Sequence, residues 1–342
     1  MVVIMQIGAT PEQVARVEEA IQDAGFQAFM NPGVERKVIA VLGVVDAEKA
    51  TCADRFASLP GVERVTLISE PYKLASRQGH AARTVVKVGS VQVGSPTLAI
   101  IAGPCSVETR DQTLRAARAV KQAGANLLRG GAYKPRTSPY AFQGLGIRGL
   151  EILVAARQET GLPIVTEVLD EHDIATVAKY ADMLQIGARN MQNFRLLQRV
   201  GKTGLPVLLK RGPGCRVRDL LMAAEYIMLE GNNQVLLCER GISTFEDSTR
   251  YTTDINAIPV LQRLTHLPVI LDPSHSTGDW RYVRPVALGA VAAGADGIMV
   301  EVHPEPEKAL SDGPQSLRPD DFAALMRDLK KVARAVGREV PS

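Results

Sequence analysis

Eight short apolar segments recur between Thr97 and the end of the chain, and each one ends in polar or glycine residues. The segments are Thr97–Ala102, Leu127–Arg129, Pro163–Val168, Met183–Ile186, Pro206–Lys210, Gln234–Glu239, Pro268–Asp272 and Gly297–Val302. Segments with helical character lie between and after them. They include Thr109–Ala123, Gly149–Thr160, Glu171–Tyr180, Arg218–Glu230 and Pro319–Val336. Continuous apolar strands that alternate with helices indicate parallel strands covered on their outer face. Eight such units predict an α/β fold, the (β/α)8 or TIM barrel. A doubly wound open sheet is the alternative, but Gly103–Ser106 is not the glycine-rich turn that such a sheet carries after its first strand.

The first 70 residues have a different pattern. Thr10, Pro11 and Gln13 form a helix start with a capping box, and the whole stretch has the order β-α-β-β-α-β of a ferredoxin-like unit. We predict strands at Val2–Ile7, Phe26–Met30, Arg36–Leu42 and Val62–Ile68, and a second helix at Ala47–Ser58. The predicted organisation is a small α+β domain at 1–70, a linker with a hairpin at 71–96, and the barrel at 97–342.

Charge and cysteine content limit the possible partners. The chain has 40 basic and 37 acidic residues, a net charge of +3, so we expect no nucleic-acid partner. No apolar run approaches the roughly 20 residues of a membrane span, so we expect no membrane partner. The four cysteines, Cys52, Cys105, Cys215 and Cys238, are widely spaced. This spacing is typical of a reducing cytoplasm, which is the predicted location.

Charged residues gather where the predicted strands end. Active sites of TIM barrels lie at the C-terminal ends of the strands. Those ends carry Cys105, Arg129, Lys134, Arg136, Glu167, Arg189, Lys210, Arg211, Glu239, Arg240, Asp272, His275, Glu301 and His303. Guanidinium and ammonium groups suit phosphate and carboxylate, so we expect an anionic substrate, with at least two anionic groups to balance these cations.

Four residues at the same ends form a possible metal-binding set. Cys105, His275, Glu301 and Asp312 offer one sulfur, one nitrogen and two oxygen ligands. Such a set suits a divalent transition metal, and the thiolate disfavours magnesium. His303 shares a strand face with Glu301 and is the alternative nitrogen ligand.

Seven motifs in order closely resemble 3-deoxy-D-arabino-heptulosonate 7-phosphate (DAHP) synthases of the type I beta group. The seven motifs are Gly103-Pro104-Cys105-Ser106, Lys134-Pro135-Arg136-Thr137-Ser138-Pro139, Ile186-Gly187-Ala188-Arg189-Asn190, Leu209-Lys210-Arg211-Gly212, Cys238-Glu239-Arg240-Gly241, Asp272-Pro273-Ser274-His275-Ser276 and Val300-Glu301-Val302-His303-Pro304. The resemblance covers the whole chain, and it includes the ferredoxin-like regulatory domain that some members carry. The segment Pro213–Arg218 departs from it, because it lacks a threonine expected there.

This resemblance implies condensation of phosphoenolpyruvate with erythrose 4-phosphate and release of phosphate, the first step of the shikimate pathway to the aromatic amino acids. It implies Cys105, His275, Glu301 and Asp312 as ligands of a divalent ion, with manganese preferred over cobalt, zinc or iron. The implied phosphoenolpyruvate site comprises Arg129, Lys134 and Lys210 for the carboxylate, and Ala188, Arg189 and Arg240 for the phosphate. The implied sugar site comprises Arg136, Thr137 and Ser138. Glu167 would help to place a water, Asp272 belongs with the substrate-binding residues, and Lys134, Cys105 and His275 are the catalytic candidates.

The resemblance also implies a homotetramer and a tyrosine or phenylalanine effector. The alternative reaction is that of the sister 3-deoxy-octulosonate 8-phosphate synthases, which use arabinose 5-phosphate. Those enzymes usually have Lys-Ala-Asn-Arg-Ser-Ser where this chain has Lys134-Pro135-Arg136-Thr137-Ser138. This difference favours the four-carbon sugar.

Overall fold

The structure is a computed structural model that describes residues 1–32, 37–45, 48–67, 71–78, 80, 82–136 and 138–341. It divides into two compact units, Met1–Arg83 with Arg263–His266, and Thr84–Gln262 with Leu267–Ser342. The predicted strand and helix ends at Arg36, Ala47 and Ile68, the domain boundary at residue 70 and the chain end at Ser342 lie outside the described residues.

The first unit contains the predicted ferredoxin-like arrangement. Strands β1 (Val2–Met5), β2 (Gln27–Pro32), β3 (Lys37–Leu42) and β4 (Val62–Thr66) form an antiparallel sheet in the order β2-β3-β1-β4. Helices α1 (Pro11–Asp23) and α2 (Lys49–Ala57) accompany this sheet. The capping box of α1 is present, because Thr10 Oγ1 accepts from the Gln13 amide and Gln13 Oε1 accepts from the Thr10 amide. Val17, Ile21 and Ile39 lie in the core between the helices and the sheet.

The second unit is the predicted TIM barrel. Eight parallel strands close in the order β10-β11-β12-β13-β14-β7-β8-β9. Their bounds are β7 Ala99–Gly103, β8 Leu127–Arg129, β9 Ile164–Val168, β10 Met183–Ile186, β11 Val207–Lys210, β12 Val235–Glu239, β13 Val269–Leu271 and β14 Gly297–Glu301. The helices are α3 Arg110–Ala123, α4 Ile147–Thr160, α5 Ile174–Val177, α6 Phe194–Gly201, α7 Val217–Met228, α8 Ala257–Leu264, α9 Pro273–Thr277, α10 Trp280–Ala292 and α11 Pro319–Ala335. The predicted helix at Glu171–Tyr180 is thus a single turn, α5.

A small hairpin closes the N-terminal end of the barrel. Strands β5 (Val86–Val88) and β6 (Val91–Val93) pair across Gly89-Ser90, as predicted. Val86, Val88 and Val93 are buried in one apolar cluster with residues of the barrel strands. With this end closed by apolar side chains, the opposite end is the open mouth.

Local sequence signals explain where the barrel helices begin and end. Helix α3 begins after Thr109, whose Oγ1 accepts from the Gln112 amide at 3.1 Å, and it ends at Gly124 in the left-handed conformation. In the part of the chain that the structure describes, no helix is both long and apolar enough to cross a membrane.

Candidate active site

The predicted site residues meet at the C-terminal ends of the barrel strands. There they border a cavity of about 410 Å³. The predicted residues that line it are Lys134, Arg136, Ser138, Glu167, Ala188, Arg189, Lys210, Arg240, His275 and Asp312. Cys105, Arg129, Asp272 and Glu301 lie buried at the same strand ends. Thr137 lies outside the described residues.

The four predicted metal ligands come together from the loops after β7, β13 and β14 and from the end of β14. Cys105, Glu301 and Asp312 offer ligand atoms that all lie within 4.8 Å of one another. His275 is not one of these three, but its Nε2 lies 3.4 Å from Glu301 Oε1. Cys105 Sγ donates to Asp312 Oδ2 at 3.0 Å. One sulfur, one nitrogen and two carboxylates in this proximity match a transition-metal site.

The environment of Glu301 supports the same interpretation. Its Oε1 is buried, and among the described residues no donor forms a hydrogen bond with it. Arg129 Nη2 lies 3.0 Å from it, an ion pair without hydrogen-bond geometry, and His275 Nε2 lies 3.4 Å from it. A buried carboxylate oxygen without a donor is costly unless a cation binds to it, so a metal ion fits this position.

The four predicted metal ligands, called the metal set below, differ in how readily they lose a proton. Burial and the charge of Glu301 raise the pKa of the Cys105 thiol to about 12, although Lys134 opposes the shift. Burial also disfavours the charged Asp312, but the hydrogen bond from Cys105 and the nearby cations outweigh it and lower its pKa to about 2. The carboxylate is therefore charged before a metal binds, whereas the thiol must lose its proton when the metal binds.

Asp272 orients two of the predicted residues. It is fully buried, and its Oδ2 contacts both Lys210 Nζ and His275 Nδ1, the latter at 2.7 Å. Its Oδ1 accepts from the His275 amide at 2.9 Å. Burial disfavours the carboxylate, but His275 and Lys210 outweigh it and lower the pKa of Asp272 well below its usual range. Burial also lowers the pKa of His275, which leaves the neutral imidazole with Nε2 directed towards Glu301.

Lys134 is a buried ammonium group beside the metal set. Its Nζ donates to Cys105 Sγ at 3.0 Å and to the Cys105 carbonyl at 3.1 Å. Burial disfavours its charge, but the interactions with Cys105 and with the carboxylates of Glu167 and Glu301 outweigh it and raise its pKa. Lys134 is therefore protonated near neutral pH.

The remaining predicted cations lie at the same strand ends. Arg129 is buried, and its Nε and Nη1 form no hydrogen bond with any described residue. Arg240 is buried against the ring of Tyr251, with its guanidinium carbon 4.5 Å from the ring centroid. Arg189 Nη1 donates to the Pro135 carbonyl at 3.0 Å, which joins the loop after β10 to the loop after β8. Glu167 accepts from Gln185 Nε2 at 3.1 Å in the same cavity wall.

Two residues counted among the strand-end charges have other partners. Arg211 forms ion pairs of 2.8 Å with both Glu239 and Asp254, and its Nε donates to the Cys215 carbonyl at 2.8 Å. Its charge is therefore compensated within the protein, and it holds the divergent segment Pro213–Arg218. His303 Nε2 lies 3.4 Å from Glu108 Oε2, and its Nδ1 accepts from the Glu305 amide at 3.0 Å. These contacts give both nitrogens of His303 neighbours outside the metal set and leave His275 as the nitrogen ligand that the geometry supports.

Sequence reasoning missed Gln185, Arg250, Tyr251 and Gln315. Gln185, Arg250 and Tyr251 line the cavity, and Gln315 donates to Glu301 Oε2 at 2.7 Å. Arg250 and Tyr251 lie in the long segment between β12 and α8, and Gln315 follows Asp312 in a 3-10 turn. No strand end marks these three positions. Gln185 is a polar residue inside the apolar strand β10, which was an available signal.

Comparison with known proteins places the chain in a family. A model of the DAHP synthetase I family matches residues 80–337, and a model of the DAHP synthase ferredoxin-like domain matches residues 1–70. The chain belongs to the DAHP synthetase I family. This membership confirms the family and enzyme class that the motifs predicted.

Individual relatives agree with the assignment. The phospho-2-dehydro-3-deoxyheptonate aldolase of Thermotoga maritima is 48% identical, over 99% of this chain and all of that protein. Its crystal structure superposes with a TM-score of 0.79, covering 99% of this chain and 98% of that chain. A 2-dehydro-3-deoxyphosphooctonate aldolase of Syntrophobacter fumaroxidans is 35% identical, over 71% of this chain and 90% of that protein. The octulosonate branch is thus the more distant of these two.

Proposed function

We propose that this chain is a metal-dependent DAHP synthase that condenses phosphoenolpyruvate with erythrose 4-phosphate and releases phosphate. The observation that carries the proposal is the cavity at the barrel mouth. It joins a cysteine, histidine and carboxylate cluster to the cations of Lys134, Arg136, Arg189, Lys210, Arg240 and Arg250. Two substrates that each carry a phosphate, one of them also a carboxylate, match this excess of positive charge.

The inner part of the cavity is the proposed phosphoenolpyruvate site. Arg129, with two buried guanidinium nitrogens that lack a described partner, would bind the carboxylate together with Lys134 and Lys210. Arg189, Arg240 and the Ala188 amide would bind the phosphate. Asp272 would act indirectly here, because its contact with Lys210 fixes where that ammonium lies.

The outer part of the cavity is the proposed sugar site. Arg136 is partly exposed and Ser138 exposed, both on the loop after β8, and Arg189 holds the backbone of that loop at Pro135. Arg136 and Ser138, with Thr137, would bind the phosphate of erythrose 4-phosphate. Two mutually repelling anions are thereby held close together, which lowers the entropic part of the barrier.

Cys105, His275, Glu301 and Asp312 would hold the metal, and we propose Mn²⁺. When bound, such an ion supplies Lewis-acid polarisation of the aldehyde carbonyl. The new bond joins C3 of phosphoenolpyruvate to the aldehyde carbon, and the aldehyde oxygen becomes negative. Lys134 would give its proton to that oxygen. Glu167, held by Gln185, would place the water that adds to C2 before phosphate leaves.

The ferredoxin-like unit is the proposed regulatory domain, within the organisation 1–70, 71–96 and 97–342. Tyrosine or phenylalanine would be its effector, in a cytoplasmic homotetramer. The match of residues 1–70 to the DAHP synthase ferredoxin-like domain supports this assignment. All the predicted site residues lie in the other unit.

A phosphate-release assay tests the proposed reaction. With Mn²⁺ and phosphoenolpyruvate present, erythrose 4-phosphate should give phosphate in step with loss of phosphoenolpyruvate, and arabinose 5-phosphate should give far less. Phosphoenolpyruvate alone is the control for simple hydrolysis. A preference for arabinose 5-phosphate would contradict the proposal and favour the octulosonate reaction.

A further inference from the structure

Gln315 forms a buried bridge between the metal set and the wall of the cavity. Only 2% of the residue is exposed. Its Nε2 donates to Glu301 Oε2 at 2.7 Å, and its Oε1 accepts from Arg250 Nη1 at 2.9 Å. It thus touches a proposed metal ligand on one side and a cation that lines the cavity on the other.

The chemistry of the two neighbours fixes the orientation of the Gln315 amide. A guanidinium can only donate hydrogen bonds, and an ionised carboxylate can only accept them. The amide oxygen must therefore face Arg250 and the amide nitrogen must face Glu301. If the amide were reversed, two donors would meet at Arg250 and two acceptors would meet at Glu301.

Arg250 is itself held in place by backbone contacts. Its amide donates to the Thr277 carbonyl at 3.0 Å, and the next amide, that of Tyr251, donates to the Ser276 carbonyl at 2.9 Å. A Cβ at Gly278 would lie 2.5 Å from Arg250 Cβ, so only glycine permits this close approach. Arg250 is therefore attached to the segment that directly follows His275.

The hydrogen bond from Gln315 divides the two oxygens of Glu301 between different roles. Oε2 is occupied by the amide, whereas Oε1 faces Arg129 Nη2 and His275 Nε2 and has no hydrogen bond from the described residues. We propose that Gln315 is a positioning residue that makes Glu301 bind the metal through Oε1 alone, and that Arg250 fixes the Gln315 amide in the orientation required. This inference rests on the metal site of the proposed function.

Gln315→Met is the direct test, because methionine keeps the length of the side chain and removes its hydrogen bonds. Mn²⁺ affinity is measured by electron paramagnetic resonance of the free ion. We expect the dissociation constant to rise by about 10- to 100-fold, the usual effect of losing a hydrogen bond to a metal ligand.

Gln185→Met is the matched control. Gln185 is also buried and also donates to a carboxylate, that of Glu167, which lies outside the metal set. Both variants lose one amide–carboxylate hydrogen bond, and Gln315→Met also loses the hydrogen bond from Arg250, so the unfolding midpoint of its metal-free protein should fall at least as far as that of Gln185→Met. Only Gln315→Met should lose Mn²⁺ affinity. A purely structural role for Gln315 would give the two variants the same metal affinity.

Arg250→Met tests whether Arg250 fixes the orientation of the Gln315 amide. The direction in which Mn²⁺ affinity changes gives the answer. Arg250 is exposed, and its Nη1 lies 3.9 Å from Asp312 Oδ1. Removal of this positive charge would by itself tighten cation binding, and about 0.5 M salt screens that contribution. If Arg250 orients Gln315, the variant should instead bind Mn²⁺ several-fold more weakly at high salt. Unchanged or tighter binding would overturn this part of the inference.

Mn²⁺ binding by the wild-type chain distinguishes an error about Gln315 from an error about the metal site. If the wild-type chain binds one Mn²⁺ per chain and Gln315→Met binds it equally well, the proposed role of Gln315 is wrong and the metal site stands. If the wild-type chain binds no Mn²⁺, the metal site itself is wrong and the inference is overturned with it.

Discussion

Cys105 must lose a proton before it can bind a metal, and its surroundings oppose that loss. Burial and Glu301 raise its pKa to about 12, whereas His275, with its lowered pKa, is already neutral near pH 7. Metal binding should therefore release about one proton per ion between pH 6 and pH 9, so the dissociation constant should fall roughly tenfold for each unit rise in pH. Mn²⁺ titrations at several pH values measure this dependence.

The matching activity experiment is removal of the metal. A strong chelator should abolish phosphate release, and added manganese, cobalt or zinc should restore it. Cys105→Ala should lose both the bound ion and activity while it keeps the fold, which circular dichroism can verify. Full activity in excess chelator, or an affinity that does not change with pH, would contradict the assignment of Cys105 as a ligand.

Arg136 has a different expected effect, because its proposed role is to bind a substrate and not to take part in bond formation. Arg136→Ala should raise the KM for erythrose 4-phosphate by roughly 10- to 100-fold, the size expected for a lost hydrogen bond to a charged group. The kcat and the KM for phosphoenolpyruvate should change little. Arg148→Ala, at an exposed position of α4, is the control. A change confined to the phosphoenolpyruvate KM would mean that the two anion subsites are reversed.

At the scale of elements, strand ends were the most informative part of the sequence. A run of apolar residues followed by a charged residue marks both a buried strand and the position of its last side chain. This is why Arg129, Lys210 and Glu301 could be placed at the mouth before the fold was known. Arg211 shows the limit, because its pairing with Glu239 and Asp254 depends on which strands and loops become neighbours. The same limit applies to Arg250, whose segment carries no periodic pattern.

Arg211 connects several elements, so we expect its removal to affect the fold more than the chemistry. It joins the end of β11 to Glu239 of β12 and to Asp254 before α8. Arg211→Met would leave the buried Glu239 without its guanidinium partner, and the free energy of unfolding should fall by about 3 to 5 kcal/mol. The surface ion pair of Arg284 with Asp328 is the control, since Arg284→Met should lower the stability much less than Arg211→Met does. Urea denaturation distinguishes these outcomes, and equal losses for the two variants would contradict the structural role.

At the scale of the whole molecule, the distribution of site residues between the two units predicts the effect of deleting residues 1–70. The barrel unit contains all the predicted catalytic and binding residues, and the ferredoxin-like unit contains none of them. We therefore expect a chain that lacks residues 1–70 to retain phosphate release.

The truncated chain should differ from the intact chain in its response to aromatic amino acids. An effector can regulate the enzyme only if it binds more tightly to one of two states. We expect tyrosine or phenylalanine to favour a less active state of the intact enzyme, and we expect the truncated enzyme to ignore both. The alternative is a ferredoxin-like unit that only stabilises the oligomer, in which case deletion would change the assembly state and leave no effector response to lose. Initial rates of the intact and truncated enzymes with millimolar tyrosine or phenylalanine distinguish regulation from a purely structural role. If the intact enzyme ignores both amino acids, the ferredoxin-like unit does not regulate it through them.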